Sequence, residues 1–169
     1  YNYRMTEMSA AVGIAQLSKV DAEVTRRQRL AEGLSAGLVG LEGVTPPVVR
    51  PGCRHVYYVW SARIDEKRLG VSRERFSAAL AAEGFPHFVG YVRPLYMLPV
   101  FQRRIAIGRD GWPFTLTDRQ YTKGMCPVAE RMHERELLCF ETCAYRIDEG
   151  MLADLVAAFR KVHANRHLL

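Results

Sequence analysis

Residues 56–64 read Val-Tyr-Tyr-Val-Trp-Ser-Ala-Arg-Ile, a run rich in β-branched and aromatic residues that follows the turn formers Pro51 and Gly52. This composition and boundary predict a β-strand. A second apolar run at residues 137–143 predicts another strand. A weaker strand is predicted within residues 85–92, where a proline and a glycine interrupt the pattern. We expect these strands to form the sheet against which the predicted helices pack.

Helical patterns flank the predicted strands. Residues 5–41 predict a long helix whose first half has two apolar stripes, whereas an isolated globular helix usually has one. Ser72 is expected to cap a helix that ends near Ala82, Pro127 to begin a short helix, and Asp148 to cap the closing helix. The sequence therefore predicts an α+β fold, in which a long N-terminal helical segment leads into a small antiparallel sheet covered on one side by helices.

The length and composition indicate one globular domain with an extension. The chain has 169 residues, of which 49% are hydrophobic and 25% charged, and this excludes a fibrous or disordered protein. We expect residues 1–41 to form a helical connector and interface segment, and residues 42–169 an α+β domain. No apolar run approaches the ~18 residues that cross a bilayer. The chain begins at Tyr1 with no apolar leader, so we expect a cytoplasmic location and a start that was removed or lies in a longer protein.

The net charge of +6, from 24 basic and 18 acidic residues, suits an anionic partner. A solvated, arginine-rich exterior explains the charge equally well. A nucleic-acid-binding protein needs its basic residues on one continuous face, but here they are scattered over several elements. We therefore expect neither a nucleic acid nor a membrane as partner.

The cysteines and histidines do not predict a metal site. The closest cysteine pair is spaced Cys-x-x-x-Cys, which differs from the spacing of zinc knuckles and redox sites. His163 and His167 share a helical face, but they lie in the last turn of the chain, where fraying is common. We expect reduced thiols and no bound metal.

Residues 93–121 are irregular and carry five aromatic side chains, which favours a functional loop over a disordered one. The chain lacks a nucleophile elbow, a Walker loop, a Gly-x-Gly-x-x-Gly segment and a His-Glu-x-x-His segment. Composition and spacing alone therefore indicate an α+β domain with an aromatic, arginine-containing loop, and no specific function.

The opening segment is more informative. Residues 2–17 read Asn-Tyr-Arg-Met-Thr-Glu-Met-Ser-Ala-Ala-Val-Gly-Ile-Ala-Gln-Leu. This segment resembles the signature of the DegT/StrS family of pyridoxal-phosphate-dependent nucleotide-sugar aminotransferases. Four later segments also resemble the family, in the expected order: residues 44–47, 53–58, 70–74 and 126–131.

The resemblance implies that the chain is the C-terminal, small-domain part of a fold-type I aminotransferase. Such an enzyme transfers an amino group, typically from glutamate, to a nucleotide-linked keto-sugar in polysaccharide or antibiotic sugar biosynthesis. The resemblance also implies that the large domain, with the lysine that forms the Schiff base, lies outside this chain. No catalytic residue is therefore assigned here, and the chain alone is expected to be inactive.

The resemblance further implies a homodimer with shared active sites, in which Asn2 binds the phosphate of pyridoxal phosphate and Arg4 lies near that phosphate or the substrate. An amide and a planar guanidinium both donate well to phosphate, and positions i and i+2 of an extended segment face the same side. The alternative is that Asn2 caps the first helix and Arg4 is solvated.

Tyr91, Arg93 and Tyr96 lie in a stretch that resembles the loop closing over the sugar, and His55 matches a common family histidine. Many relatives carry a histidine where Tyr96 stands, so the identity of the sugar is not fixed by this motif. The alternatives are loop packing for the first three residues and a structural role for His55. Two other functions stay open: a non-catalytic, regulatory relative of the family, and a basic anion-binding module.

Overall fold

The computed structural model describes residues 3–169, which form seven α-helices and four β-strands. A π-helical turn, Met132–Glu136, joins α6 to β4. In chain order the elements are α1 (Glu7–Leu17), α2 (Val20–Leu38), β1 (Val44–Thr45), β2 (Trp60–Ile64), α3 (Glu66–Leu69), α4 (Arg73–Ala82), β3 (Phe88–Val89), α5 (Pro99–Gln102), α6 (Pro127–Arg131), β4 (Leu137–Phe140) and α7 (Glu149–Ala164).

The four strands form one antiparallel sheet in the order β1-β2-β4-β3. The small antiparallel sheet is as the sequence predicts, whereas strand β1 is not among the predicted strands. Strand β2 begins at Trp60 and not at the expected residue 56. Tyr57 has φ of 48°, a left-handed conformation that cannot continue a strand, and its carbonyl accepts a hydrogen bond from the Thr142 hydroxyl. Strand β4 ends at Phe140, three residues earlier than expected.

Three helices, α2, α4 and α7, cover one face of the sheet, which confirms the predicted layer. Trp60 and Phe140 are paired across the central strands and buried on this face. The Trp60 indole N–H donates to the Ser35 hydroxyl on α2 at 2.8 Å, so its one polar group is satisfied. The ring of Phe159 packs edge-on against Phe76 at 5.3 Å and against Phe85 at 5.6 Å.

The N-terminal segment is two helices and not the single helix that the periodicity predicts. The break falls at Ser18, whose hydroxyl donates to the Ala15 carbonyl at 2.9 Å, a bond that competes with the helical ladder. Helix α1 has no buried residue, whereas the second half of α2 supplies Leu30, Leu34 and Leu38 to the core. The two helices therefore have different packing environments.

Both predicted helix caps are confirmed. The Ser72 hydroxyl accepts the Arg75 N–H at 3.3 Å, and the Asp148 carboxylate accepts the Met151 N–H at 2.8 Å. Each bond satisfies one of the amides that the first turn of a helix leaves without a partner. These caps fix the starts of α4 and α7, two of the helices that support the sheet.

Buried Arg73, the first residue of α4, holds the π-helical turn against that helix. Its guanidinium donates to the carbonyls of His133 at 2.9 Å and Glu134 at 2.6 Å, and it pairs with Glu74 at 2.7 Å. A turn of this kind leaves carbonyls without helical partners, and Arg73 supplies the missing donors. The position of α6 is thereby tied to α4.

Candidate functional site

The candidate site lies around the turn that follows β3, toward the face of the sheet opposite the helices. Gly90 begins this turn with φ of 70°, and its carbonyl accepts a hydrogen bond from the Cys139 thiol at 2.8 Å. A Cβ at Gly90 would lie 2.8 Å from the His133 ring, so only glycine fits both the conformation and the space. The close approach sets the direction in which the chain continues to Tyr91.

Two half-exposed phenols and a carboxylate lie near one another at this place. Tyr58 is 54% exposed and Tyr91 is 50% exposed. The Glu141 carboxylate raises the pKa of Tyr58 most, and Tyr91 and Cys143 raise it further, which shows that these groups lie within electrostatic reach. Phenol hydroxyls that stay neutral can donate hydrogen bonds to the hydroxyl groups of a ligand.

Sequence reasoning missed Tyr58 and Glu141. The signal was present in the pairing of the two strongest predicted strands, since Trp60 lies opposite Phe140. Tyr58 precedes Trp60 by two residues and Glu141 follows Phe140, so the antiparallel register places both near one end of the strand pair. Register, however, is fixed by the assembled sheet and cannot be taken from either strand alone.

Arg93 lies two residues after Tyr91 and its side chain is exposed. Among the described residues 3–169, no hydrogen bond or ion pair engages its guanidinium. A guanidinium is charged at every physiological pH and binds phosphate or carboxylate through two parallel hydrogen bonds. Tyr91 and Arg93 are thus both presented outward on one short segment.

Tyr96 has a different environment, because only 8% of it is exposed. Its hydroxyl donates to the carboxylate of Glu130 on α6. Burial, followed by this hydrogen bond, raises the pKa of Tyr96 to about 12. The bond from Tyr96 is also the largest cause that lowers the pKa of Glu130. The expected contact between Tyr96 and a sugar stays a prediction; its hydroxyl here bonds within the chain.

His55 lies before β2 and ties the entry of that strand to α2. Its Nδ1 accepts the Tyr57 N–H at 2.8 Å, and its carbonyl accepts a hydrogen bond from the Gln28 amide at 2.9 Å. The His55 ring lies 4.2 Å from the Tyr57 ring. These contacts agree with the structural role that the sequence analysis gives as the alternative for His55. A contact between His55 and a ligand stays a prediction.

Of the two residues predicted to bind the cofactor phosphate, Asn2 lies outside the described residues. Arg4 lies three residues before the start of α1, and its side chain is exposed. Thr6 is the N-cap of α1, and its hydroxyl accepts the Ser9 N–H at 3.2 Å. An exposed guanidinium just before a helix N-terminus has the donors and the charge that suit a phosphate group. The residue therefore fits the role, which stays a prediction.

Two grooves in the described part of the chain lie away from these residues. One, of about 710 Å³, runs beside β1 and is lined by five basic and four acidic side chains, so it favours neither sign of charge. The other, of about 740 Å³, lies between the beginnings of α2 and α7. Neither groove is lined by Tyr91, Arg93 or Tyr96. Tyr58, Tyr91 and Arg93 are all exposed, so the candidate site lies at the surface of the chain.

All four cysteines are free thiols. Within residues 3–169, no group of three or more histidine, cysteine, aspartate or glutamate side chains could hold a metal ion. Among the helices of the same residues, none combines the length and the apolar character needed to cross a bilayer.

Comparison with known proteins gives consistent results. A sequence model of the DegT/DnrJ/EryC1/StrS aminotransferase family matches residues 1–139. An L-glutamine:2-deoxy-scyllo-inosose aminotransferase of Streptoalloteichus tenebrarius is 33% identical over 168 residues, which are 95% of this chain and 38% of that protein. The GDP-perosamine synthase of Caulobacter vibrioides is 33% identical over 105 residues, 60% of this chain and 27% of that protein.

Solved structures show the same fold at low identity. DesV of S. venezuelae superposes with a TM-score of 0.70 at 22% identity, over 95% of this chain and 37% of that chain. A 3-amino-5-hydroxybenzoic acid synthase superposes with a TM-score of 0.69 at 21% identity, over 97% of this chain and 40% of that chain. This chain thus spans about two fifths or less of the proteins named here.

Proposed function

The chain belongs to the DegT/DnrJ/EryC1/StrS aminotransferase family, and from this premise we propose that it forms the C-terminal part of a pyridoxal-phosphate-dependent sugar aminotransferase. This chain matches well under half of the length of each relative. This supports assigning the Schiff-base lysine to an upstream domain. Residues 42–169 would then be the small domain. Residues 1–41 would be the connector that carries the interface.

The proposed reaction exchanges an amino group for a ketone oxygen. The donor, glutamate or glutamine, becomes a 2-oxo acid, and the ketone carbon of the sugar receives the amino group. Pyridoxal phosphate, when bound, supplies the carbonyl group that carries the nitrogen between the two. In this chain, Asn2 and Arg4 would hold the cofactor phosphate by hydrogen bonds and charge, which fixes the position of the ring without taking part in proton transfer.

One observation carries the proposal for the substrate: Tyr91 and Arg93 are both presented outward beside the half-exposed Tyr58. The Arg93 guanidinium suits the diphosphate of a nucleotide, and the phenol hydroxyls suit the hydroxyl groups of a sugar. An open surface of this kind becomes a binding site when a second surface covers it, since small-molecule sites are concave and exclude most water.

We assign that second surface to the large domain and to a second subunit. Helix α1 supports a subunit contact, because it has no buried residue and its large apolar side chains are 62% to 81% exposed along a single helix. A homodimer would cover them and would bring Asn2 and Arg4 of one subunit to the active site of its partner. The exposed large apolar residues that the dimer contact would cover, in α1 and just before it, are Met5, Met8, Val12, Ile14 and Leu17.

Two acceptor classes are supported by the relatives. GDP-perosamine synthase is named for a nucleotide-linked sugar, whereas the aminotransferase of S. tenebrarius is named for 2-deoxy-scyllo-inosose, a cyclic ketone with no nucleotide. We favour the nucleotide-linked acceptor, because Arg93 offers a cation that an uncharged cyclic ketone does not require.

The test supplies the full-length protein with pyridoxal phosphate, ¹⁵N-glutamate or ¹⁵N-glutamine, and each class of ketone. We expect ¹⁵N in the nucleotide-linked amino-sugar, and loss of that preference in Arg93→Ala. Transfer to the free cyclic ketone alone would assign the second class. Retention of the cofactor with no transfer to any ketone would indicate a non-catalytic, regulatory relative.

A further inference from the structure

We propose that Glu130 is a positioning residue, whose carboxylate fastens both ends of the segment 91–126 to α6 and so holds Tyr91 and Arg93 at the substrate surface. The proposal rests on the function proposed above, since it assigns to this segment the role of presenting the sugar-binding side chains. Glu130 acts through the segment and does not itself contact the substrate.

Three donors converge on a single carboxylate oxygen, Glu130 Oε1. The Tyr96 hydroxyl approaches from the beginning of the segment, and the N–H groups of Gly124 at 2.7 Å and Cys126 at 3.3 Å approach from its end. Glu130 is itself 8% exposed. Hydrogen bonds to an ionised acceptor are about twice as strong as neutral ones, so this oxygen is a strong anchor.

The anchor is connected to the rest of the fold. Glu130 lies on α6, and the π-helical turn that follows is held to α4 by the buried Arg73 guanidinium. Strand β4 begins directly after this turn and pairs with β3, which leads into the segment. The base of the segment is therefore fixed relative to the sheet.

The segment also has an apolar core of its own. The rings of Phe101, Phe114 and Tyr121 contact one another with centroids 5.2 to 5.8 Å apart. The Gln102 amide donates to the carbonyls of Tyr96 at 2.6 Å and Tyr121 at 2.7 Å, which joins the two sides of the segment. A segment that is packed internally moves as one unit when its tether is released.

Removal of the three hydrogen bonds to Glu130, which tether the segment to α6, has different consequences from removal of its internal aromatic core. Loss of the Glu130 charge weakens the three converging bonds but leaves the aromatic contacts in place. The segment then keeps its shape but loses its fixed position, so Tyr91 and Arg93 no longer meet the substrate in one geometry. Misplacement of binding groups lowers substrate affinity and leaves chemistry with the small amino donor unaffected.

The experiment compares Glu130→Gln, Tyr96→Phe and the control Asp154→Asn, an exposed carboxylate on α7, in the full-length protein. Hydrogen exchange by mass spectrometry reports on residues 122–127, and steady-state kinetics report KM for the keto-sugar and kcat with the donor. Glutamine retains the size of the side chain and removes its charge. Tyr96→Phe removes one donor and retains the carboxylate, so it provides a second variant if Glu130→Gln fails to fold.

We expect exchange at residues 122–127 to rise about tenfold in Glu130→Gln, by the loss of a hydrogen bond to a charged group. Exchange in β2 and β4 should stay unchanged, and KM for the keto-sugar should rise by a similar factor with kcat for the donor unchanged. Tyr96→Phe should show smaller changes of the same kind, and Asp154→Asn none.

Unchanged exchange at residues 122–127 in Glu130→Gln would overturn the proposal whether or not the protein is a transferase. Faster exchange with an unchanged KM would show a tether without a positioning role, and would overturn it as well. Absence of transfer in the unmodified protein would instead contradict the proposed function, and the exchange data would still decide whether Glu130 holds the segment.

Discussion

Tyr96 and Glu130, 34 residues apart in the chain, are joined by a hydrogen bond from a buried phenol to a carboxylate. The bond closes the base of an aromatic segment that the sequence identifies only as a long loop. The bond therefore holds the segment 91–126 in a defined position relative to α6.

The first prediction concerns alkaline titration of Tyr96. Its pKa is raised from 10 to about 12 by burial and by Glu130, so the neutral phenol is favoured by the folded state. The resulting contribution to stability is complete below pH 10 and is lost as the pH rises through about 12. Absorbance titration of the unmodified chain minus that of Tyr96→Phe should show one phenol that ionises near pH 12. A difference step near pH 10 would contradict the buried, hydrogen-bonded phenol.

The second prediction concerns Arg73. Replacement by alanine removes two hydrogen bonds from a charged side chain that is 5% exposed, those to the carbonyls of His133 and Glu134, and each lost bond should cost about 1.5–3 kcal/mol. Urea unfolding of Arg73→Ala should show this loss in the free energy of unfolding. Arg75→Ala, an exposed position on the same helix, is the matched control and should stay within about 0.5 kcal/mol of the unmodified chain. Equal stability of the two variants would contradict the capping role of Arg73.

The third prediction separates backbone conformation from close packing at Gly90. Gly90 and Gly108 share φ of 70°, but only at Gly90 would a Cβ meet a neighbour, the His133 ring at 2.8 Å. Both alanine variants should lose about 1–2 kcal/mol from the left-handed conformation, and Gly90→Ala should lose more from the clash. Comparison of their urea midpoints measures the difference. If Gly108→Ala is as destabilising as Gly90→Ala, the close approach of the turn to His133 does not contribute.

The fourth prediction concerns the exposed helix α1. In the full-length protein, Met8→Glu combined with Ile14→Glu should convert the dimer to monomers, because charges would be placed in an apolar contact. Sedimentation velocity at several concentrations measures the change, and Glu7→Gln on the same helix is the control. A dimer that survives both charges would place the subunit interface elsewhere.

The sequence predicts the parts of this fold that depend on local chemistry. The caps at Ser72 and Asp148 are confirmed because a capping side chain bonds within its own turn. The single helical layer is also confirmed, since apolar periodicity fixes which face is buried. The start of β2 at Trp60, and not at residue 56, is not predicted, because Tyr57 has a left-handed conformation and its carbonyl accepts a hydrogen bond from Thr142, 85 residues away.

The candidate site shows the same division. Motif resemblance selected Tyr91, Arg93 and Tyr96 as one group, but a motif does not carry the burial of each side chain. The partner of Tyr96 lies on another helix, and this contact exists only after the segment has folded back on itself. The proximity of Tyr58 to Glu141 likewise depends on the strand register.

The central claim is that this chain completes the active site of a neighbouring subunit in a sugar aminotransferase. The most direct measurement mixes two full-length variants, Asn2→Ala combined with Arg4→Ala, and a variant that lacks the Schiff-base lysine of the upstream domain. Each should be nearly inactive alone. After exchange of subunits in equal amounts, about a quarter of the sites combine an intact lysine with intact Asn2 and Arg4, so transfer activity should recover to about a quarter of the original. A mixture no more active than the mean of the two separate variants would contradict the claim.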